Sequence, residues 1–150
     1  MANVVVGPEA IVNTDRLLVI RYSEFYVDTG SGADPVLVDI SNSEYAHSDG
    51  RALASVNIQR IWTSVADATS NPTADLFWVA NEGNVFIANL VQAGTGGGMQ
   101  YHDYTTGGWG GIPKAGSDTS DATYGDIKLI VTNLDGGEGV SVVIECRKNF

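Results

Sequence analysis

The sequence predicts an all-β protein, an antiparallel β-sandwich whose expected form is a jelly roll. Three observations lead there. Apolar residues alternate with polar ones in short runs separated by turn-forming stretches, the pattern of half-buried strands. No segment carries the 3.6-residue periodicity of an amphipathic helix over three turns. Seven to nine such runs, with Gly, Pro, Asn and Asp between them, fit one sandwich better than any mixed fold. Residues 1–150 are expected to form one domain, since no shift in composition divides the chain.

Val4, Val5 and Val6 are β-branched and are followed by Gly7-Pro8. They form either a first strand or an extended arm over residues 1–8, able to add to a neighbour's sheet edge. Ile11-Val12 comes next, and Asn13-Thr14-Asp15 marks a turn. Arg16 to Asp28 is a long strand-forming run. Leu18, Ile20 and Tyr22 share one parity, Phe25 and Val27 the other. The switch near Ser23-Glu24 predicts a bulge or a bend between sheets. Residues 29–35 are a loop. Val36, Val38 and Ile40 give another strand, and Glu44 to His47 allow one helical turn. A further strand spans Ser55 to Thr63, with a parity break at Arg60-Ile61-Trp62.

Leu76 to Leu90 predicts a hairpin with its turn at residues 81–84. Leu76, Trp78, Val85 and Ile87 fall on one face; Phe77, Val79, Phe86 and Leu90 fall on the other. A strand pair apolar on both faces needs cover on its back, from a loop or from a neighbouring subunit. Residues 94–111 hold eight of the eighteen glycines, interleaved with Met99, Tyr101, His102, Tyr104 and Trp109. This segment is expected to be a loop.

Two strands close the chain. Ile127, Leu129 and Val131 form one apolar stripe, and Val140, Val142, Ile144 and Cys146 form a second. With a Gly-rich linker between them they predict a hairpin in which Asp126 faces Arg147 and Lys128 faces Glu145. Each such cross-strand pair is complementary, contributing about 0.2–1 kcal/mol.

Composition narrows the function. Eight basic residues stand against eighteen acidic ones, a net charge of −10. The basic residues are scattered in sequence, so no cationic patch for nucleic acid or for an anionic membrane surface is expected. Only 17% of residues are charged, which points to a surface that is largely polar and neutral or is partly covered by partners. The single Cys146 makes no intrachain disulfide and is expected to pack as a small hydrophobe. The N-terminus lacks the basic and apolar regions of a secretory signal, so folding in a cytoplasm is expected.

No motif carries catalysis. His47 and His102 each have an acid nearby, Asp49 and Asp103, but no nucleophile elbow accompanies them. Asp135-Gly136-Gly137-Glu138 lacks calcium-loop spacing. Asp28, Asp34 and Asp39 are a weak candidate cation set beside the loop at 29–35. Gly94-Thr95-Gly96-Gly97-Gly98 lacks the helix that a dinucleotide site needs. The expectation is therefore no catalytic residue, no cofactor and no metal. Met99, Tyr101, Tyr104 and Trp109, with Val4, Val5 and Val6, are the candidate protein-interaction residues, because exposed aromatics among glycines suit contact loops.

Several stretches carry a family resemblance. They are residues 1–9 with 13–17, Val38 to Ser41 leading to Ser55 to Trp62, and Phe77-Trp78 before its hairpin. Gly107 to Ile112, Gly125 to Leu129 and Val142 to Phe150 complete the set. Taken whole, the sequence resembles small virion structural proteins of tailed bacteriophages. The resemblance implies a capsid decoration (cement) protein bound outside the major capsid protein lattice, without catalytic residues. It further implies a homotrimer, assembled in the host cytoplasm and located on the capsid exterior. A neck or tail component and a carbohydrate-binding sandwich module are the alternatives.

Overall fold

The computed structural model describes residues 3–26, 32–66, 72–80, 83–91, 98–106, 110–113 and 125–150. Nine strands build two antiparallel sheets: β1 (Val4–Asn13), β2 (Leu17–Phe25), β3 (Val36–Val38), β4 (Ser55–Ala66), β5 (Thr73–Trp78), β6 (Val85–Asn89), β7 (Gly98–Asp103), β8 (Ile127–Thr132) and β9 (Gly139–Asn149). One sheet has the order β1-β2-β9-β4-β7, and the other has the order β3-β8-β5-β6. From β2 onward the chain alternates between the sheets, except that β5 and β6 pair as neighbours. A 3-10 turn, Ser43–Tyr45, is capped by Asn42, whose side chain accepts from the Glu44 N–H.

The core lies between the sheets and follows the predicted alternation. Leu18, Ile20 and Tyr22 of β2, Ile58 and Ile61 of β4, and Val142 and Ile144 of β9 face Leu37, Leu76, Ile127 and Leu129 of the other layer. Burying each such side chain stabilises the fold by about 1.5–3 kcal/mol. Cys146 is part of this core, and burial pushes its thiol well above the ordinary value.

The predicted hairpin at 76–90 is present: Trp78 pairs with Val85 and Phe77 with Phe86. Its turn at 81–82 lies outside the described residues. Phe77 and Phe86 meet edge to face at 5.8 Å on the outer side, but Leu90, expected on that face, is buried in the core, because the register shifts between Leu76 and Phe77.

The last two strands do not form a hairpin. β8 pairs with β3 and β5, while β9 pairs with β2 and β4. Their apolar stripes face each other across the core. Asp126 is buried and accepts from the Ile40 N–H at 2.9 Å, far from the predicted Arg147 partner. Lys128 stands between Val36 and Phe77, and Glu145 between Val19 and Arg60. The linker carries the chain over the end of the core. Asn133 and Gly137 adopt positive φ there. Leu134 and Glu138 are buried, and Tyr26 exchanges backbone hydrogen bonds with Gly137 and Glu138.

Three other expectations change. β2 runs through Ser23 without a bend, because Glu24 is buried on the core side and Phe25 is exposed on the other. The break near Ile61 is a bulge between Ile58 and Arg60, and β4 stays within one sheet. Met99 to Asp103 is not loop but β7, hydrogen-bonded along β4. Its alternation was hidden because Gln100 and His102, the inward residues of an edge strand, are polar.

Val4 to Val6 pair with Phe25, Glu24 and Ser23 of the same chain. They are a first strand rather than a free arm. All ten residues of β1 are nevertheless exposed, at the edge of the five-stranded sheet.

Candidate protein-interaction face

The outer face of the five-stranded sheet gathers most of the predicted interaction residues. Strand pairing sets the rows, because side chains opposite each other share a face. Val4 and Phe25 stand beside Gly139 and Ala66. Val6, Ser23, Ser141, Ser64 and Met99 form the next row, tied by the Ser23 and Ser141 hydroxyls at 2.8 Å. Glu9, Arg21, Val143, Trp62 and Tyr101 follow, then Val12, Val19, Glu145, Arg60 and Asp103.

Two apolar clusters result. At one end Val4, Val6 and Phe25 border a groove of about 260 Å³ floored by Gly139 and Ser141. At the β7 edge Trp62 and Tyr101 lie with ring centroids 5.4 Å apart, and Met99 is 81% exposed beside them.

Most charges on this face pair with one another. Arg21 and Glu9 form an ion pair. Arg60 reaches Glu145 at 2.5 Å and Asp103 at 3.5 Å, and Glu145 holds its guanidinium above the ordinary value. Asp103 is held below the usual carboxylate range, chiefly by the hydrogen bond from the Thr105 hydroxyl and then by the Thr105 N–H. Tyr101 also donates to Asp103 at 3.2 Å, which fixes the aromatic ring beside Trp62.

Of the predicted residues, Val4, Val6, Met99 and Tyr101 share this face. Val5 pairs with Glu24 and points to the opposite side. Tyr104 is half-buried against the core and stacks on His102 at 6.1 Å. Trp109 lies outside the described residues. Trp62 and Phe25, which the sequence reading treated only as parity breaks, belong to the face. Their signal was an aromatic at a position whose neighbours in the strand face inward.

Of the two histidines with an acid nearby in sequence, one meets that acid in space. His102 and Asp103 are consecutive in a strand and point to opposite faces. His47 meets two carboxylates: its Nδ1 accepts from the Asp49 N–H at 3.1 Å and lies 3.0 Å from Asp49 Oδ1, and its Nε2 lies 3.7 Å from Asp15 Oδ2. Among the described residues no cluster of three His, Cys, Asp or Glu is placed to hold a metal. Asp39 is engaged by the Ser41 N–H and hydroxyl, while Asp28 of the weak cation set lies outside the described residues.

No family model, curated protein or solved structure matches the chain.

Proposed function

We propose that the chain is a structural virion protein of a tailed bacteriophage, a decoration protein docked on the outside of the major capsid protein lattice. The observation that carries this reading is the outer sheet face, where Val4, Val6 and Phe25 at one end and Trp62, Met99 and Tyr101 at the β7 edge lie on the same side. Such a surface suits a broad protein partner rather than a small molecule.

Two further points support it. The order β2-β9-β4-β7 over β3-β8-β5-β6, with the chain passing between sheets at nearly every step, supports the jelly-roll reading, an architecture common in viral capsid domains. The net charge of −10 favours the exterior, since a chain of that charge is repelled from packaged DNA. In this reading the protein is not an enzyme, takes no cofactor and acts as a homotrimer. The trimer covers the exposed β1 edge by closed symmetry.

The test is direct. The purified chain is mixed with expanded heads lacking it, and bound protein is measured by co-sedimentation. Saturable binding is expected, together with a solution mass three times 15.8 kDa. A monomer that ignores heads overturns the proposal. A second reading, a carbohydrate-binding module, is favoured by the Trp62–Tyr101 pair, on which a sugar ring can stack. Binding to glycans without binding to heads selects it.

A further inference from the structure

The basic residues are scattered in sequence but not in space. A cleft of about 700 Å³ opens at the end of the sandwich where β2 begins and β9 ends, opposite the valine groove. Arg16, Arg51, Arg147, Lys148 and His47 line it, with Asp15 as the one acidic side chain. Half of the chain's eight Lys and Arg residues therefore meet in one place on a protein of net charge −10. Backbone pairing holds them there: Leu17 lies opposite Arg147, and the Lys148 N–H donates to the Arg16 carbonyl at 2.8 Å.

Some of this charge is already used. Arg51 pairs with Asp49 at 2.8 Å and lies 5.6 Å from the Phe150 ring, which His47 meets edge-on. Asp15 is turned to Ser48, accepting from its N–H at 2.8 Å and its hydroxyl at 2.6 Å. Arg16, Arg147 and Lys148 have no carboxylate within ion-pair distance among the described residues. Lys148 is the telling one. It is only 5% exposed, yet its ammonium donates one hydrogen bond, to Asn13 Oδ1 at 2.5 Å, and otherwise sits 6.0 Å from the Tyr45 ring. Asp15 acts on it only through space, and a buried ammonium has three donors to satisfy.

We propose that this cleft takes an acidic peptide segment of the partner protein, its carboxylates held by Lys148 and by the Arg16 and Arg147 forks. Guanidinium groups bind carboxylates through two parallel hydrogen bonds. The volume exceeds what one small anion fills and lies in the range of a larger ligand. Arg147 also belongs to the outer face of the five-stranded sheet, in line with Glu145 and Val143. A protein lying on that face reaches the cleft at its far end. A nucleic acid is disfavoured, because the rest of the surface repels a polyanion.

The assignment rests on the proposed function in requiring a protein partner on that face, and its test needs no capsid, so the two can fail separately. Fluorescein-labelled hexaglutamate and hexaglutamine peptides are titrated with the full chain and followed by anisotropy. Hexaglutamate is expected to bind about tenfold or more tighter, and to weaken by a similar factor at about 0.5 M salt. Arg16→Ala and Arg147→Ala are each expected to weaken it about tenfold while leaving the unfolding temperature unchanged. Lys148→Met is expected to abolish binding without loss of stability, as replacing a buried charge by an apolar chain permits. Equal binding of the two peptides overturns the proposal. So does indifference to both arginine substitutions, or binding of inorganic pyrophosphate or single-stranded DNA alone.

Discussion

The Tyr22 hydroxyl donates to the carboxylate of Glu24 at 2.8 Å, deep at one end of the core. Glu24 is 2% exposed and also accepts from the Ala33 N–H and the Asn3 amide. Burial and this carboxylate together raise the Tyr22 hydroxyl far above its ordinary value. The buried acid thereby joins β1, β2 and the residues leading to β3. Glu24→Ala leaves several buried donors without an acceptor, and a loss of about 2–4 kcal/mol is expected from denaturant unfolding. Glu24→Gln, which keeps one acceptor oxygen, is expected to lose less. Equal stability of Glu24→Ala and the parent would show that these donors find other partners.

Acid sensitivity follows from three aspartates held below the ordinary value of 3.8. Ser48 lowers Asp15, Arg51 lowers Asp49 and Thr105 lowers Asp103, in each case first through a hydrogen bond. A depressed folded value contributes stability that is present above the unfolded value and lost as pH falls through the folded one. The unfolding temperature should therefore drop as pH is lowered below about 4. Asp103→Asn should be less stable than the parent at neutral pH and converge on it in acid. A gap that stays constant with pH would contradict the assignment.

Cys146 tests the core from inside. Its thiol is fully buried between the sheets, and desolvation suppresses its ionisation. Iodoacetamide labelling of the native protein is expected to occur only at the rate of unfolding. The raised folded value makes the linked stability complete below the unfolded value of 9.0 and lost as pH rises above it. Reductant should leave the unfolding temperature unchanged. Fast labelling under native conditions would show an open edge beside β9.

β1 contributes pairing but little burial. β2 is hydrogen-bonded to β9 along its whole length regardless of β1. Pro8 offers no donor, and the register shifts between Val6 and Glu9 and between Ala10 and Val12, features that discourage further strand addition there. Deleting residues 1–7 should leave a folded protein, with the unfolding temperature lowered by no more than about 4–8 °C, yet one that no longer forms a trimer. Loss of folding on deletion would make β1 part of the core in energetic terms.

These relationships were only partly legible in the sequence. Ile127, Leu129, Val131, Val140, Val142, Ile144 and Cys146 were all assigned correctly to the buried side. Their parity is the same whether the two strands pair edge to edge or face each other across the core, so alternation alone could not select the arch. The buried Leu134 and Glu138 were the available hint, since a solvated hairpin turn hides neither. Met99 and Tyr101 were readable as exposed groups. Trp62 was not, because its partners Val143 and Tyr101 are distant in sequence and meet it only through strand order.

In the proposed function the outer face of the five-stranded sheet binds the capsid. Met99→Asp and Tyr101→Asp place charge at its most exposed apolar edge, where the fold has little at stake. The deciding measurement is co-sedimentation of each variant with expanded heads, beside the parent and with unfolding temperatures recorded in parallel. The account predicts saturable binding by the parent and at least about tenfold weaker binding by both variants, at unchanged stability. Binding of both variants with the parent's affinity would contradict it.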